Sequence, residues 1–299
     1  MKIRGIEAKT LLSKSKEADP WFGILYTMNL YRGCTHRCIY CDSRSECYQI
    51  ENFDGEILVK TNAIELLKKE LTPRRQKGRI GTGSMNDPYQ AVERKFQLTR
   101  QALAIIAERQ FPVHIITKSS LVERDLDLLQ EINREQALNS ALVSFTLTTT
   151  DDALAKIVEP FAPPPSARLR AMRSLHNAGV HVGVTMMPIL PFIEDTPENI
   201  ETILKSAADA GAEYILPDMG LTMRDRQREY FYARLDEHYP GLSIRYRRLY
   251  GNQYSAQSPR ADALYELFNE LRHSLGLLDR VPTYTPAPKP VAQPALFAE

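Results

Sequence analysis

The stretch Leu30–Cys41 reads Leu-Tyr-Arg-Gly-Cys-Thr-His-Arg-Cys-Ile-Tyr-Cys. It places Cys34, Cys38 and Cys41 in a C-x3-C-x2-C pattern, with Cys47, the only other cysteine, shortly after. A loop this short can wrap three thiolates around one inorganic cluster. A [4Fe–4S] cube has four irons to ligate, so three cysteines leave one iron open. Gly33 lets the backbone come close to such a group. Other readings of the same residues stay open. All four cysteines could hold a structural Zn²⁺, although zinc sites favour two separated C-x2-C pairs. Cys47 reads more simply as a packed or surface thiol. His36 reads as solvent-facing or as a support for the ligands rather than as a ligand.

Outward from the loop, short apolar runs alternate with amphipathic stretches. Strands are predicted at Ile24–Leu30, Arg79–Gly83, Val113–Thr117, Leu142–Thr148, Val180–Met186 and Glu213–Leu216, and a short β-like run at Ile57–Lys60. Helices are predicted over Asn62–Leu71, Arg94–Arg109, Glu123–Asn133 and Ser166–Ala178, the last stopped by Gly179. Thr196-Pro197 starts another that ends near Gly211. Strand–helix alternation repeated about six times implies a parallel sheet with right-handed crossovers, open or closed. Ligands of such sheets bind at the carboxyl ends of the strands. There the sequence offers Gly81-Thr-Gly-Ser-Met-Asn-Asp-Pro-Tyr89, Thr117-Lys118-Ser119, Thr146 and Met187-Pro188. Gly81 and Gly83 permit close backbone approach, and Lys118 could pair with a carboxylate. Each alone is also consistent with an ordinary turn or a solvated surface.

The cysteine loop, with an aromatic residue before its last cysteine, resembles that of the radical S-adenosylmethionine (SAM) enzymes. The resemblance implies a [4Fe–4S] cluster on Cys34, Cys38 and Cys41. It implies SAM chelated at the open iron, and reductive cleavage of SAM to a 5′-deoxyadenosyl radical. It also implies an α/β fold: a partial (β/α)6 barrel with a C-terminal helical extension and a disordered tail. The set YRGC-x3-C-x2-C, ILVKTNA, TGSMNDPYQ and IITKSS resembles the branch of spore photoproduct lyase and its "DNA repair photolyase" relatives, over roughly residues 20–275. That implies SAM contacts at Tyr40, beside the adenine, and at Asn86, Lys118 and Thr146. Asn86 stands where the branch has a serine. A lyase reaction on nucleic acid and an electron donor such as flavodoxin or ferredoxin are implied with it. One departure bears on the reaction. The lyase returns a hydrogen atom from a cysteine in Cys-Thr-Ser-Asp, and the matching text here is Ser84-Met-Asn-Asp87. A serine O–H bond is too strong for that role; Cys47 or Tyr89 are the substitutes in reach. A peptide or small metabolite is the alternative substrate. A non-catalytic, DNA- or clamp-associated metal-binding module is the alternative function.

Composition sets the frame. The 299 residues suit one large domain or two, with 43% apolar and 25% charged residues. Lys+Arg minus Asp+Glu is 38 − 37 = +1, which argues against a general nucleic-acid coat but not against a local basic groove. No apolar run is long enough to span a membrane, and residues 1–20 lack the core of a signal peptide. A cytoplasmic protein whose cysteines are metal or redox ligands is expected. The expected organisation is an N-terminal extension over 1–20, the core over 21–278 and a Pro-rich disordered tail over 279–299. Ile244–Tyr254 interleaves Arg245, Arg247 and Arg248 with Tyr246, Tyr250 and Tyr254. It reads as a strand with one solvated face, or as arginines for phosphates and tyrosines for bases. Arg74–Arg79 and Arg168–Arg173 read as solvated faces. In the tail, Gln293, Leu296 and Phe297 resemble the Q-x-x-L-F peptide by which bacterial repair proteins bind the sliding clamp.

Overall fold

Strands buried on both faces carry no polar alternation, which is the signature of a parallel sheet covered by helices. Arg79–Thr82 and Ala141–Thr146 are buried at every position, and Val113–Thr117 at all but one. In the computed structural model, which describes residues 1–74, 76–134 and 139–286, these strands sit mid-sheet. Six parallel strands follow one another in chain order: Ile24–Met28, Arg79–Thr82, Val113–Thr117, Ala141–Thr146, His181–Met186 and Tyr214–Pro217. They are the six expected barrel strands. An antiparallel edge strand, Leu12–Lys14, pairs with the first of them. The helix Ala261–Ser274 packs beside Pro197–Asp209 as the sixth outer helix.

Expected helix boundaries hold where a cap fixes them. Thr196 accepts from Asn199 N at 3.2 Å, Pro197 opens the helix, and Gly179 ends its helix at φ +81°. Elsewhere tertiary contacts override the pattern. The helix expected over Arg94–Arg109 is broken at Gln97, φ +51°, into Glu93–Phe96 and Leu98–Glu108. The buried Glu93 carboxylate caps the second piece, accepting from Thr99 N at 3.1 Å and Arg100 N at 3.4 Å. Glu123–Asn133 begins instead as a 3₁₀ turn, Ser120–Asp125, before Leu126–Asn133.

Three segments depart from expectation. Ile244–Tyr250 is helical, within Leu242–Tyr250. Tyr246 and Tyr250, four apart, share one buried face, and Arg247 pairs with Glu229 at 2.7 Å. Those two tyrosines are core, so the interleaved stretch is not a base-stacking surface; only Tyr254 is exposed. The first 20 residues are woven into the fold: Lys2–Ile6 runs parallel to Glu56–Lys60, which also pairs with Tyr31–Arg32. The chain after Leu278 does not leave the fold at 279. Leu278 bridges to Tyr214, Arg79 donates to the Pro282 carbonyl at 2.9 Å, and Asn139 Nδ2 donates to the Thr283 carbonyl at 2.8 Å. Arg79 is buried there, not solvated. Residues 287–299, with Gln293, Leu296 and Phe297, lie outside the described residues. Among the described residues no helix is long and apolar enough to cross a membrane.

Candidate functional site

The cysteine loop lies on the connection between two paired strands of the small sheet, Tyr31–Arg32 and Glu56–Lys60. Gly33 turns it at φ +85°, where a Cβ would press within 3.0 Å of the Glu56 carbonyl. Its backbone is held by three buried side chains and one backbone carbonyl. Gln90, fully buried, donates to the Gly33 carbonyl at 3.1 Å and accepts from Thr35 N at 2.9 Å. Asn86 Nδ2 donates to the Tyr31 carbonyl at 2.8 Å. Ile39 N donates to the Val158 carbonyl at 2.9 Å, and Gln227 Nε2 to the Tyr40 carbonyl at 3.1 Å. Cys34 and Cys38 are buried, Cys41 half-buried, and none is in a disulfide.

These three cysteines open onto one cavity of ≈ 390 Å³. Tyr40, Asn86, Lys118 and Thr146 line the same cavity, so the three expected cluster ligands and the four expected SAM contacts face one space. The wall comes from the carboxyl ends of the barrel strands: Gly83–Asp87, Lys118, Thr146, Thr185, Met187 and Asp218. Thr146 Oγ1 and Thr185 Oγ1 are 2.9 Å apart. One pleat lower on the same faces, His114, Ser144 and Tyr214 form a buried chain, 2.8 Å at each step. Gly83 is confined at φ +105°; a Cβ would lie 2.0 Å from the Ile116 carbonyl. Its freedom therefore serves the packing of neighbouring strands. Cys47 does not line the cavity. It is exposed, and its sulfur accepts from Ser45 Oγ at 3.2 Å and Arg224 Nη1 at 3.1 Å. Tyr89 does not line it either; its buried hydroxyl donates to Asp125 at 3.1 Å. Ser84 does.

Charge in the wall is arranged around two carboxylates. Asp87 Oδ1 accepts from Thr117 Oγ1 and Oδ2 from Lys118 N, both at 2.7 Å, which fixes the end of the third strand. His36 is buried with Nδ1 3.4 Å from Asp87 Oδ2, and burial pulls its basicity below the ordinary histidine value. Glu159 accepts from Tyr40 Oη and Arg168 Nη2 and stands 3.7 Å from Lys118 Nζ. Burial works against both charges. Even so, Arg168 and Lys118 hold the Glu159 carboxyl low, while the Glu159 and Asp87 carboxylates keep Lys118 raised. Burial pushes the Cys34 thiol up to about 12, and raises Cys38 and Cys41 as well. Thiols held protonated this way become ligands when a metal displaces their protons.

The sequence did not mark Glu159, Arg168, Gln90 or Asp218. Arg168 sat in a run read as solvated; Arg170 and Arg173 are exposed, but Arg168 is buried. No local pattern separates Glu159 or Gln90 from surface residues, because their partners are distant in the chain.

The donor set fits an iron–sulfur cluster. Three unpaired soft ligands share one cavity that leaves room on their open side. Among the described residues no three His, Cys, Asp or Glu side chains converge tightly enough to share a single metal ion.

Comparison with known proteins places this geometry. An uncharacterised protein of Mycobacterium bovis is 33% identical over 231 residues, 75% of this chain and 67% of that protein. One of Acidianus two-tailed virus is 30% identical over 225 residues, 71% and 72%. Spore photoproduct lyase complexed with dinucleoside spore photoproduct shares the fold at TM-score 0.68 and 17% identity, over 92% of this chain and 80% of that one. The radical SAM methyltransferase TsrM of Kitasatospora setae, with tryptophan substrate and a SAM analogue bound, matches at TM-score 0.55 and 12% identity, over 84% and 52%. The model of the radical SAM superfamily matches residues 28–207, which include the cysteine loop and most of the cavity lining, the sixth strand and Asp218 lying beyond them. The chain belongs to the radical SAM superfamily.

Proposed function

We propose that the protein is a radical SAM enzyme in which Cys34, Cys38 and Cys41 hold a [4Fe–4S] cluster and the cavity beside them takes SAM. When bound, cluster and SAM supply reductive cleavage of the sulfonium and a carbon-centred radical for hydrogen-atom abstraction. The observation that carries this reading is the meeting of the three thiols with Tyr40, Asn86, Lys118 and Thr146 in one cavity. Each side chain has a physical task there. Lys118 presents a half-buried positive charge suited to a carboxylate. Tyr40 offers an aromatic face, its hydroxyl already engaged by Glu159. Thr146 and Thr185 offer hydroxyls for a polar ligand edge. Asn86 spends its amide nitrogen on the Tyr31 carbonyl, so it supports the loop and has its oxygen left for a ligand.

The substrate we infer is a nucleic-acid base or sugar. Its support is the shared fold with a lyase whose structure holds a dinucleoside photoproduct. The lyase's way of returning a hydrogen atom is not available: Ser84 lines the cavity at that position, and neither Cys47 nor Tyr89 reaches it. The reaction therefore leaves its product radical to another donor or another fate.

Anaerobic reconstitution with iron and sulfide, followed by SAM and dithionite, should yield 5′-deoxyadenosine. No deoxyadenosine from protein carrying about four irons and four sulfides would reject the reading. Deuterium transfer from labelled oligonucleotides, RNA and peptides into deoxyadenosine then identifies the substrate class.

A further inference from the structure

Two of the four cavity residues with expected ligand roles, Tyr40 and Lys118, meet one buried carboxylate, and a third, Thr146, is tied to it through Arg168. Glu159 follows the helix Asp152–Val158 and is 2% exposed. Its Oε1 accepts from the Tyr40 hydroxyl of the cysteine loop and faces Lys118 Nζ at 3.7 Å. Its Oε2 accepts from Arg168 Nη2. Arg168, 1% exposed, then donates to the Thr146 carbonyl at 3.0 Å and the Pro163 carbonyl at 2.8 Å. Backbone bonds lock the same corner: Ile39 N reaches the Val158 carbonyl at 2.9 Å, and Phe161 N the His36 carbonyl at 3.3 Å.

A buried ion pair is a poor way to gain stability, since desolvation offsets its attraction. It is a good way to fix geometry, because charge-assisted hydrogen bonds are strong and directional. Arg168 and Lys118 both stand against Glu159, while Asp87, the other carboxylate of the wall, is engaged by Thr117 Oγ1 and Lys118 N. Arg168 makes the closer, hydrogen-bonded pair with Glu159. The longer 3.7 Å approach of Lys118 leaves its ammonium able to meet a second anion from the cavity side.

We propose that Glu159, paired with Arg168, is a positioning residue that sets Tyr40, Lys118 and Thr146 in the cavity wall and aims the Lys118 ammonium at an anionic ligand group. This rests on the radical SAM reading, in which that group is the carboxylate of SAM. Without the Glu159 charge, Lys118 loses its tether and Arg168 is left as a buried cation with only the Thr146 and Pro163 carbonyls as partners.

The test compares wild type with Glu159→Gln and with Glu159→Gln combined with Arg168→Gln. The double variant removes the orphaned charge and keeps the test open where the single variant fails to fold. In metal-free protein, mass-spectrometric footprinting with an amine-acylating reagent should label Lys118 several-fold faster in a folded variant, with other lysines unchanged. In reconstituted protein, iron content should match wild type while KM for SAM in deoxyadenosine formation rises about tenfold, kcat moving by less than about threefold. The raised KM should persist in the double variant even where its thermal midpoint recovers, which a purely structural role would not produce. Unchanged Lys118 labelling and unchanged KM in a folded variant would overturn the proposal. A wild type that binds its cluster but forms no deoxyadenosine would instead sink the radical SAM reading itself.

Discussion

Sulfur atoms within one short segment face different surroundings. Cys34, Cys38 and Cys41 open to the cavity, whereas Cys47 is exposed and hydrogen-bonded to Ser45 and Arg224. Replacing Cys47 with Ala should leave iron content and SAM cleavage at wild-type levels, measured by metal analysis and deoxyadenosine formation. The same change at any of the other three should abolish the visible cluster absorbance. A second prediction concerns Glu194, buried beside the fifth-strand loop, where Thr148 Oγ1 and Leu190 N donate to it at 2.8 and 2.9 Å. Burial raises its carboxyl to about 8, so the folded state keeps a proton that the unfolded chain releases near the ordinary glutamate value of 4.5. The native state then binds more protons between those values, and stability falls as pH rises through that window. The slope is at most about 1.4 kcal/mol per pH unit. Glu194→Gln should flatten the decline in urea titrations at pH 5.5 and 7.5; an unchanged slope would show that Glu194 is ionised in the fold.

Elements follow their local patterns only where nothing distant competes. The six barrel strands and the Thr196 cap were legible because apolar runs and capping chemistry are local signals. The break at Gln97 was not, because it depends on Glu93, which also meets Arg124 at 2.7 Å from another crossover. The Leu242–Tyr250 helix was misread because arginine and tyrosine alternate there as they would along a strand. What decides is the i, i+4 spacing of Tyr246 and Tyr250, whose rings pack at 5.4 Å between centroids, with the Tyr246 hydroxyl donating to the Pro191 carbonyl at 2.7 Å. Tyr246→Ala should therefore cost about 3–5 kcal/mol, as large aromatic truncations in cores do. Exposed Arg248→Ala should stay within about 0.5 kcal/mol. Chemical denaturation distinguishes them, and comparable small effects at both positions would restore the surface reading.

Over the whole molecule, the site is a product of long-range closure. Strand ends separated by over a hundred residues, such as Asn86 and Asp218, face one cavity because the parallel strands share one direction. The cysteine loop and the strand-end motifs were visible in the sequence since their chemistry is local. The supports, Gln90, Glu159, Arg168 and Gln227, were hidden because each becomes meaningful only through partners from 9 to 187 positions away. At the far end, Leu278–Thr283 runs along the last strand and over Arg79, joining the sixth strand to the second. The central claim is that three thiolates hold a cluster with one iron left for SAM. Electron paramagnetic resonance of the reduced, anaerobically reconstituted protein, with and without SAM, tests it most directly. The account predicts a [4Fe–4S]⁺ signal that shifts when SAM is added and disappears in Cys38→Ala; a signal that is indifferent to SAM would contradict it.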